Sequence, residues 1–106
     1  MSDQHQPGKL TCYAAVYTRG PRWGELAETR EKLRAAHIEY QHGHFEAGRL
    51  LMGGPYTDRE FGLALFTTAT RDETMKIVSD DPAVNAGVYN VDVATWVVAL
   101  NAFDKA

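Results

Sequence analysis

The stretch that most limits what this chain can fold into is Phe61–Thr68, FGLALFTT. Read as a strand, it is apolar on both alternating faces, with Phe61, Leu63 and Leu65 on one and Ala64 and Phe66 on the other. A strand of that kind has to be covered on both sides. One layer of helices covers one side of a sheet. A chain of 106 residues has nothing left from which to build a second layer. The other cover is expected from a second copy of the chain, so a homodimer is predicted.

Length allows one domain and no more. The expected boundaries are a disordered tail over residues 1–9 (MSDQHQPGK), a single domain over 10–102 and a short C-terminal tail over 103–106. Fourteen acidic residues against eleven Lys and Arg leave a net charge of −3, with both signs spread along the chain. No basic stripe is available for a phosphate backbone, which argues against nucleic acid as a partner. No apolar run approaches the roughly 18 residues of a membrane span, and no signal-peptide pattern opens the chain, so no membrane association is expected. Cys12 is the sole cysteine. A lone thiol within an apolar strand fits a small buried hydrophobe and a reducing cytoplasm.

Leu10–Thr18 alternates, with Leu10, Cys12, Ala14 and Val16 on one face and Thr11, Tyr13, Ala15 and Tyr17 on the other. The first set is expected in the core. The second is expected to line a cleft or an interface. Gly20-Pro21 ends this strand, and a helix is predicted from about Trp23 or Glu25 to Ala47. Its broad apolar face carries Leu26, Leu33, Ala36, Tyr40 and Ala47, with Arg30 and His37 near the edge. Gly43 weakens that helix, and Gly48 is its natural stop. A short strand follows over Arg49–Met52, ended by Gly53-Gly54-Pro55. After the doubly apolar strand, a second helix spans Arg71 to Asp80, with Thr70 or Asp72 as cap. Pro82 opens a further short helix that ends at Gly87. Val88–Leu100 is longer than a usual strand, so a bulge or an exchange onto a partner sheet is predicted near Ala94-Thr95. The order βαββαβ predicts an α+β, ferredoxin-like antiparallel sheet with its helices on one face.

His37 and Asp81 are the residues most suited to chemistry. Imidazole titrates near neutral pH and serves as a general acid or base with little tuning. A carboxylate beside it fixes its tautomer and orientation. Asp81 precedes Pro82 at a helix junction, where it also suits an N-cap, and the two roles are compatible because a carboxylate has two oxygens. Asp80 is the alternative partner. His37 and His44 lie two helical turns apart, about 10 Å, which is too far for one small ion, and no zinc-type motif is present. No metal site and no cofactor are expected. Gly53-Gly54-Pro55 lacks the lysine and hydroxyl of a phosphate loop and reads as a tight turn or as a backbone wall against a small ligand. Tyr13, Tyr17 and Tyr89 either pack or offer hydroxyls to the same cavity. Arg34, one turn before His37, either holds an anionic group or pairs with Glu31 or Glu39.

Taken together, the chain resembles the YCII-related family and, more loosely, the dimeric α/β-barrel superfamily, over Leu10 to about Leu100. The resemblance rests on Arg34 and His37, Gly48-Arg49-Leu50, Gly54-Pro55, Asp81-Pro82 and Ala86-Gly87-Val88-Tyr89. It implies homodimers in which two ferredoxin-like sheets pack face to face. It also implies a His–Asp dyad at His37 and Asp81, with Gly54 and Pro55 bordering the cleft. Lyase-type chemistry on small oxygenated or chlorinated rings is associated with part of the family. The chain departs from the family pattern at His42-Gly43-His44, where bulkier apolar residues are common. The residues together with the reaction class that the resemblance implies favour a cofactor-independent enzyme of lyase, dehydrochlorinase or isomerase type acting on a small cyclic or carbonyl-bearing metabolite. The rival reading is a non-catalytic small-ligand-binding or accessory module whose His–Asp pair is only a buried hydrogen bond. Haem-assisted oxygenation, a superfamily-level alternative, is weaker, since nothing else in the chain marks a porphyrin pocket.

Overall fold

The computed structural model describes residues 10–104, so the expected tail over 1–9 lies outside the described residues, as do 105 and 106. Four strands, β1 (Leu10–Arg19), β2 (Leu50–Pro55), β3 (Gly62–Phe66) and β4 (Tyr89–Val98), form one sheet in the order β2-β3-β1-β4. Every pairing is antiparallel. Helix α1 (Arg30–Glu46) joins β1 to β2, while α2 (Arg71–Ser79) and α3 (Pro82–Asn85) join β3 to β4. This is the ferredoxin-like α+β arrangement that the element order predicts. A single 3₁₀ turn, Ala102–Asp104, follows β4.

Pairing registers show which side chains share a face. Tyr13, Ala15 and Tyr17 of β1 stand opposite Phe66 and Ala64 of β3 and Val93 and Val91 of β4. Ala15, Tyr17, Ala64, Phe66 and Val93 form the buried core with Val78 of α2 and Leu50 of β2. The core therefore takes the opposite face of β1 from the one expected. Alternation identifies two faces but does not say which one the helices cover. Aromatic bulk at Tyr13 and Tyr17 fills the gap beneath the helices better than Ala14 and Val16 would.

The other face of the sheet carries Val16, Met52, Leu63 and Trp96, which are 38%, 47%, 36% and 46% exposed. Leu65 and Cys12 on the same face are buried. β3 is thus apolar toward both sides, as its sequence demands, and only one side is covered by this chain.

Local signals set most element ends. Thr70 accepts from the Glu73 amide at 3.2 Å while the Glu73 carboxylate accepts from the Thr70 amide at 3.2 Å, a reciprocal cap that starts α2. Gly48, just past α1, has φ +83°, the left-handed conformation that favours glycine. α1 runs through Gly43 without a break.

Four expectations about elements are corrected. α1 begins at Arg30, not near Trp23, because residues 21–29 form a run of turns. Tertiary contacts override helix propensity there. The Gly20 and Arg22 amides donate to the Val88 and Gly87 carbonyls, both at 2.8 Å. No side chain fits at Gly20, whose Cβ would lie 2.2 Å from the Gly87 oxygen. Gly53-Gly54-Pro55 continues β2 instead of ending it, with Gly53 opposite Ala64 and Gly54 opposite Leu63. Pro55 is tolerated because β2 is an edge strand. Phe61 lies outside β3 with φ +72°, which turns its ring off the alternation and onto the core side. Finally, β4 pairs with β1 in unbroken register from Tyr89 to Val98, without a bulge at Ala94-Thr95.

Candidate active site

The end of the sheet where β1 leaves and β4 enters meets the middle of α1. There His37, expected at the helix edge, is the one buried residue of α1. Its Nδ1 lies 2.5 Å from Oδ2 of Asp81. His37 is 9% exposed and Asp81 1%. The second carboxylate oxygen, Oδ1, accepts from the Ala83 amide at 2.9 Å and so caps α3. Pro82 in the first turn of α3 leaves no amide of its own to satisfy. One side chain thus holds the imidazole and starts a helix. Asp80 is turned elsewhere, its carboxylate 3.1 Å from Lys76 Nζ on the surface.

With Asp81 ionised, Nδ1 carries the hydrogen and donates it to the carboxylate. Nε2 is then the nitrogen left with a lone pair, and the ring borders a cleft of about 780 Å³. Aromatic rings surround the imidazole. Tyr17 and Tyr89 each lie edge-on to it with centroids 5.0 Å away. Phe61 packs edge-on against Tyr89 at 5.4 Å and Trp23 at 5.1 Å. Trp23 is held in turn by Arg30, whose guanidinium lies 4.4 Å over its ring and donates to its carbonyl at 2.9 Å. A bidentate pair between Arg19 and Glu60 ties the loop before β3 to the end of β1.

Of the residues expected at the site, Arg34, Gly54, Pro55 and Tyr89 line the same cleft as His37. Asp81 lies behind the imidazole and does not line it. Tyr13 is not in the cleft. It stands opposite Phe66 and Thr95 and packs half-buried against the core, four residues back along β1 from the wall position that Tyr17 occupies. Arg34 pairs with neither Glu31 nor Glu39 among the described residues, and its positive charge reaches Tyr89. Burial raises the Tyr89 phenol above its ordinary value, Arg34 opposes that, and Asp81 and Glu31 add to it. Burial raises the Tyr17 phenol further, with the Asp81 charge adding to the effect and the Gln41 hydrogen bond opposing it. Both hydroxyls are held in their protonated, donating form at neutral pH.

His42 lines the cleft mouth, 3.8 Å from Glu46, and His44 turns away to accept from Arg49 Nε at 2.9 Å. Among the described residues no three of His, Cys, Asp and Glu are grouped closely enough to hold a metal ion. Nor is any described helix long and apolar enough to cross a membrane. Sequence reasoning passed over Trp23, Gln41 and Phe61 as wall residues. Only the aromatic character of Trp23 and Phe61 beside glycines hinted at them.

Fold and site together are those of a small ferredoxin-like domain with a buried His–carboxylate pair beside an aromatic cleft. The model of the YCII-related domain matches residues 8–97, and the chain belongs to that family. Among solved structures it is similar to 5-chloro-2-hydroxyhydroquinone dehydrochlorinase from Burkholderia phenoliruptrix AC1100, determined in complex with 2,5-dihydroxybenzoquinone. The TM-score is 0.56 at 19% identity, over 79% of this chain and 92% of that one, a likeness of fold. No curated protein matches the chain.

Proposed function

We propose that the cleft is the active site of a cofactor-independent enzyme, of lyase, dehydrochlorinase or isomerase type, acting on a small cyclic or carbonyl-bearing metabolite. The observation that carries this reading is the His37–Asp81 pair, whose imidazole is both fixed from behind and open to the cleft in front. His37 Nε2 removes a proton from the substrate, and the electron pair of the broken bond moves toward an electronegative atom of the ring. Asp81 keeps Nδ1 protonated and stabilises the imidazolium that forms. In an elimination, that electron pair expels a leaving group such as chloride. In an isomerisation, the proton returns from Nε2 to a different atom.

Flat aromatic walls at Trp23, Phe61 and Tyr89 suit a planar ring, and Arg34 suits an anionic substituent on it. Gly54 and Pro55 bring backbone close to the ligand. The dehydrochlorinase of similar fold supports a ring substrate of this kind as a first trial. The active form in this proposal is a homodimer in the cytoplasm, with the half-exposed face of Val16, Met52, Leu63 and Trp96 covered by a second sheet.

Chloride release and absorbance change are measured with a panel of hydroxylated and chlorinated hydroquinones. His37→Gln is expected to lower turnover by about 10²-fold or more, the ordinary size of a general-base contribution, with the fold intact. Turnover at the wild-type rate in that variant sinks the assignment. The accessory-module reading takes its place if no ring compound is turned over and Asp81→Asn changes only thermal stability.

A further inference from the structure

Tyr17 is the most buried of the aromatic residues around His37, being 4% exposed, yet it borders the cleft. Its phenol oxygen is already engaged, because Gln41 Nε2 donates to it at 3.2 Å. Gln41 comes from α1, one helical turn after His37, so the same helix face presents both the imidazole and the amide that fixes Tyr17. A phenol that accepts through its oxygen still has its own hydrogen to place. No group among the described residues accepts it, and the cleft is the space the hydroxyl borders. The ring is clamped against Tyr89 and His37, with Ala64 opposite Ala15 on the sheet beneath, so its direction is set by packing. By contrast, Tyr89 is half-buried and has no amide to orient it among the described residues.

We propose that Tyr17 is a catalytic residue of this cleft, its hydroxyl donating a hydrogen bond to the substrate oxygen on which negative charge develops as His37 removes a proton. The proposal rests on the His37 reading above and goes beyond it by assigning the second half of the chemistry. No atom is transferred at Tyr17. The C–H or O–H bond of the substrate breaks, Nε2 gains the proton, and the electron pair delocalises onto the oxygen that Tyr17 faces. Donation from Gln41 withdraws electron density from the phenol oxygen and makes the remaining hydrogen a stronger donor. A donor fixed before the reaction is the arrangement that favours charge developing in the transition state.

The test uses 2,5-dihydroxybenzoquinone, whose ionised oxygens mimic such a charge, in absorbance titrations of the full chain. Tyr17→Phe keeps the ring and the packing and removes only the hydroxyl. Its Kd is expected to rise about 10- to 100-fold, the loss of one hydrogen bond to a charged acceptor. Tyr40→Phe, whose hydroxyl donates to the Ile77 carbonyl away from the cleft, is expected to bind as wild type does. Equal affinity of Tyr17→Phe and wild type overturns the proposal.

A second measurement needs no ligand. The Tyr17 hydroxyl hydrogen, with no acceptor among the described residues, is expected to exchange with water too fast to give a sharp NMR signal. A protected, slowly exchanging hydroxyl signal means that Tyr17 donates to Gln41 instead, which also overturns the assignment. Wild-type protein that ignores the quinone counts against the ring-substrate reading, and the exchange measurement then decides the role of Tyr17 on its own.

Discussion

The two sides of the sheet are made by the same strands and end differently. Beneath the helices, Ala15, Tyr17, Ala64, Phe66 and Val93 close over one another and are all buried. On the reverse, Val16, Met52, Leu63 and Trp96 remain between a third and a half exposed. Both sides are apolar, so hydrophobicity does not distinguish them. What differs is that the covered side has side chains from three helices to pack against, and its one gap is lined with rings and carries a histidine. On the bare side Asp92 stands opposite Val16, and Met52 and Leu63 also line the cleft. The lesson is that apolar surface left over after a chain has folded takes two forms. A concave, histidine-bearing remainder suits a small molecule, and a broad flat one suits another protein surface.

That contrast is open to attack from either side. The largest effect is expected beneath the helices. Phe66 is 1% exposed, and Phe66→Ala should cost about 3–5 kcal/mol in denaturant unfolding, the sum of lost burial and the cavity left behind. A cost near that of a surface change would mean that the covered side is not the core.

On the bare side the stability effect should be smaller and the assembly effect larger. Leu63→Asp places a charge on a side chain 36% exposed in the single chain, so the isolated fold should lose about 1–2 kcal/mol. If the face is an interface, sedimentation should fall from twice 11.8 kDa to 11.8 kDa for this variant. A wild-type mass of 11.8 kDa at micromolar concentration would remove the second sheet from the proposal altogether.

The smallest effect belongs to the covered side's rim. His44 has its pKa lowered from the ordinary 6.5, by burial first and by the Arg49 charge second, with Asp81 partly opposing. The folded state therefore resists protonation at His44. Its contribution to stability is complete above 6.5 and is lost as pH falls through that value toward the lower folded one. His44→Gln should flatten the acid side of the Tm-versus-pH curve by a small amount below pH 6.5 and leave the curve above it unchanged. An unaltered acid limb would show that His44 is as free in the fold as out of it.

How far the sequence reveals this molecule depends on the range over which each feature is decided. The Thr70 cap, the Gly48 stop and the Asp81-Pro82 start of α3 are fixed by neighbours within four residues, and all were readable. The pair of apolar faces on β3 was readable for the same reason. Which face of β1 turns inward was not, because Tyr13 and Ala14 alternate equally well either way and only the bulk needed under the helices decides. Trp23 looked helical because its anchoring, through Gly20 and Arg22 to the turn at Gly87 and Val88, comes from residues more than sixty positions later. Phe61 illustrates the hardest case. A left-handed backbone at a bulky residue is disfavoured locally, so nothing in FGLALF announces that its first ring leaves the strand's alternation. At the site, His37 and Asp81 were legible as residue types suited to each other. Choosing Tyr17 over Tyr13 needed the register, since both point to the same side of β1.

The shared carboxylate of Asp81 has a consequence for heat. One oxygen holds His37 and the other begins a helix of only four residues, so the aim of the imidazole and the integrity of α3 form a single cooperative event. Fraying of that short turn would misdirect the imidazole while the four-stranded sheet is still whole. If His37 is the base proposed above, loss of activity on heating is expected to begin before the strands are lost.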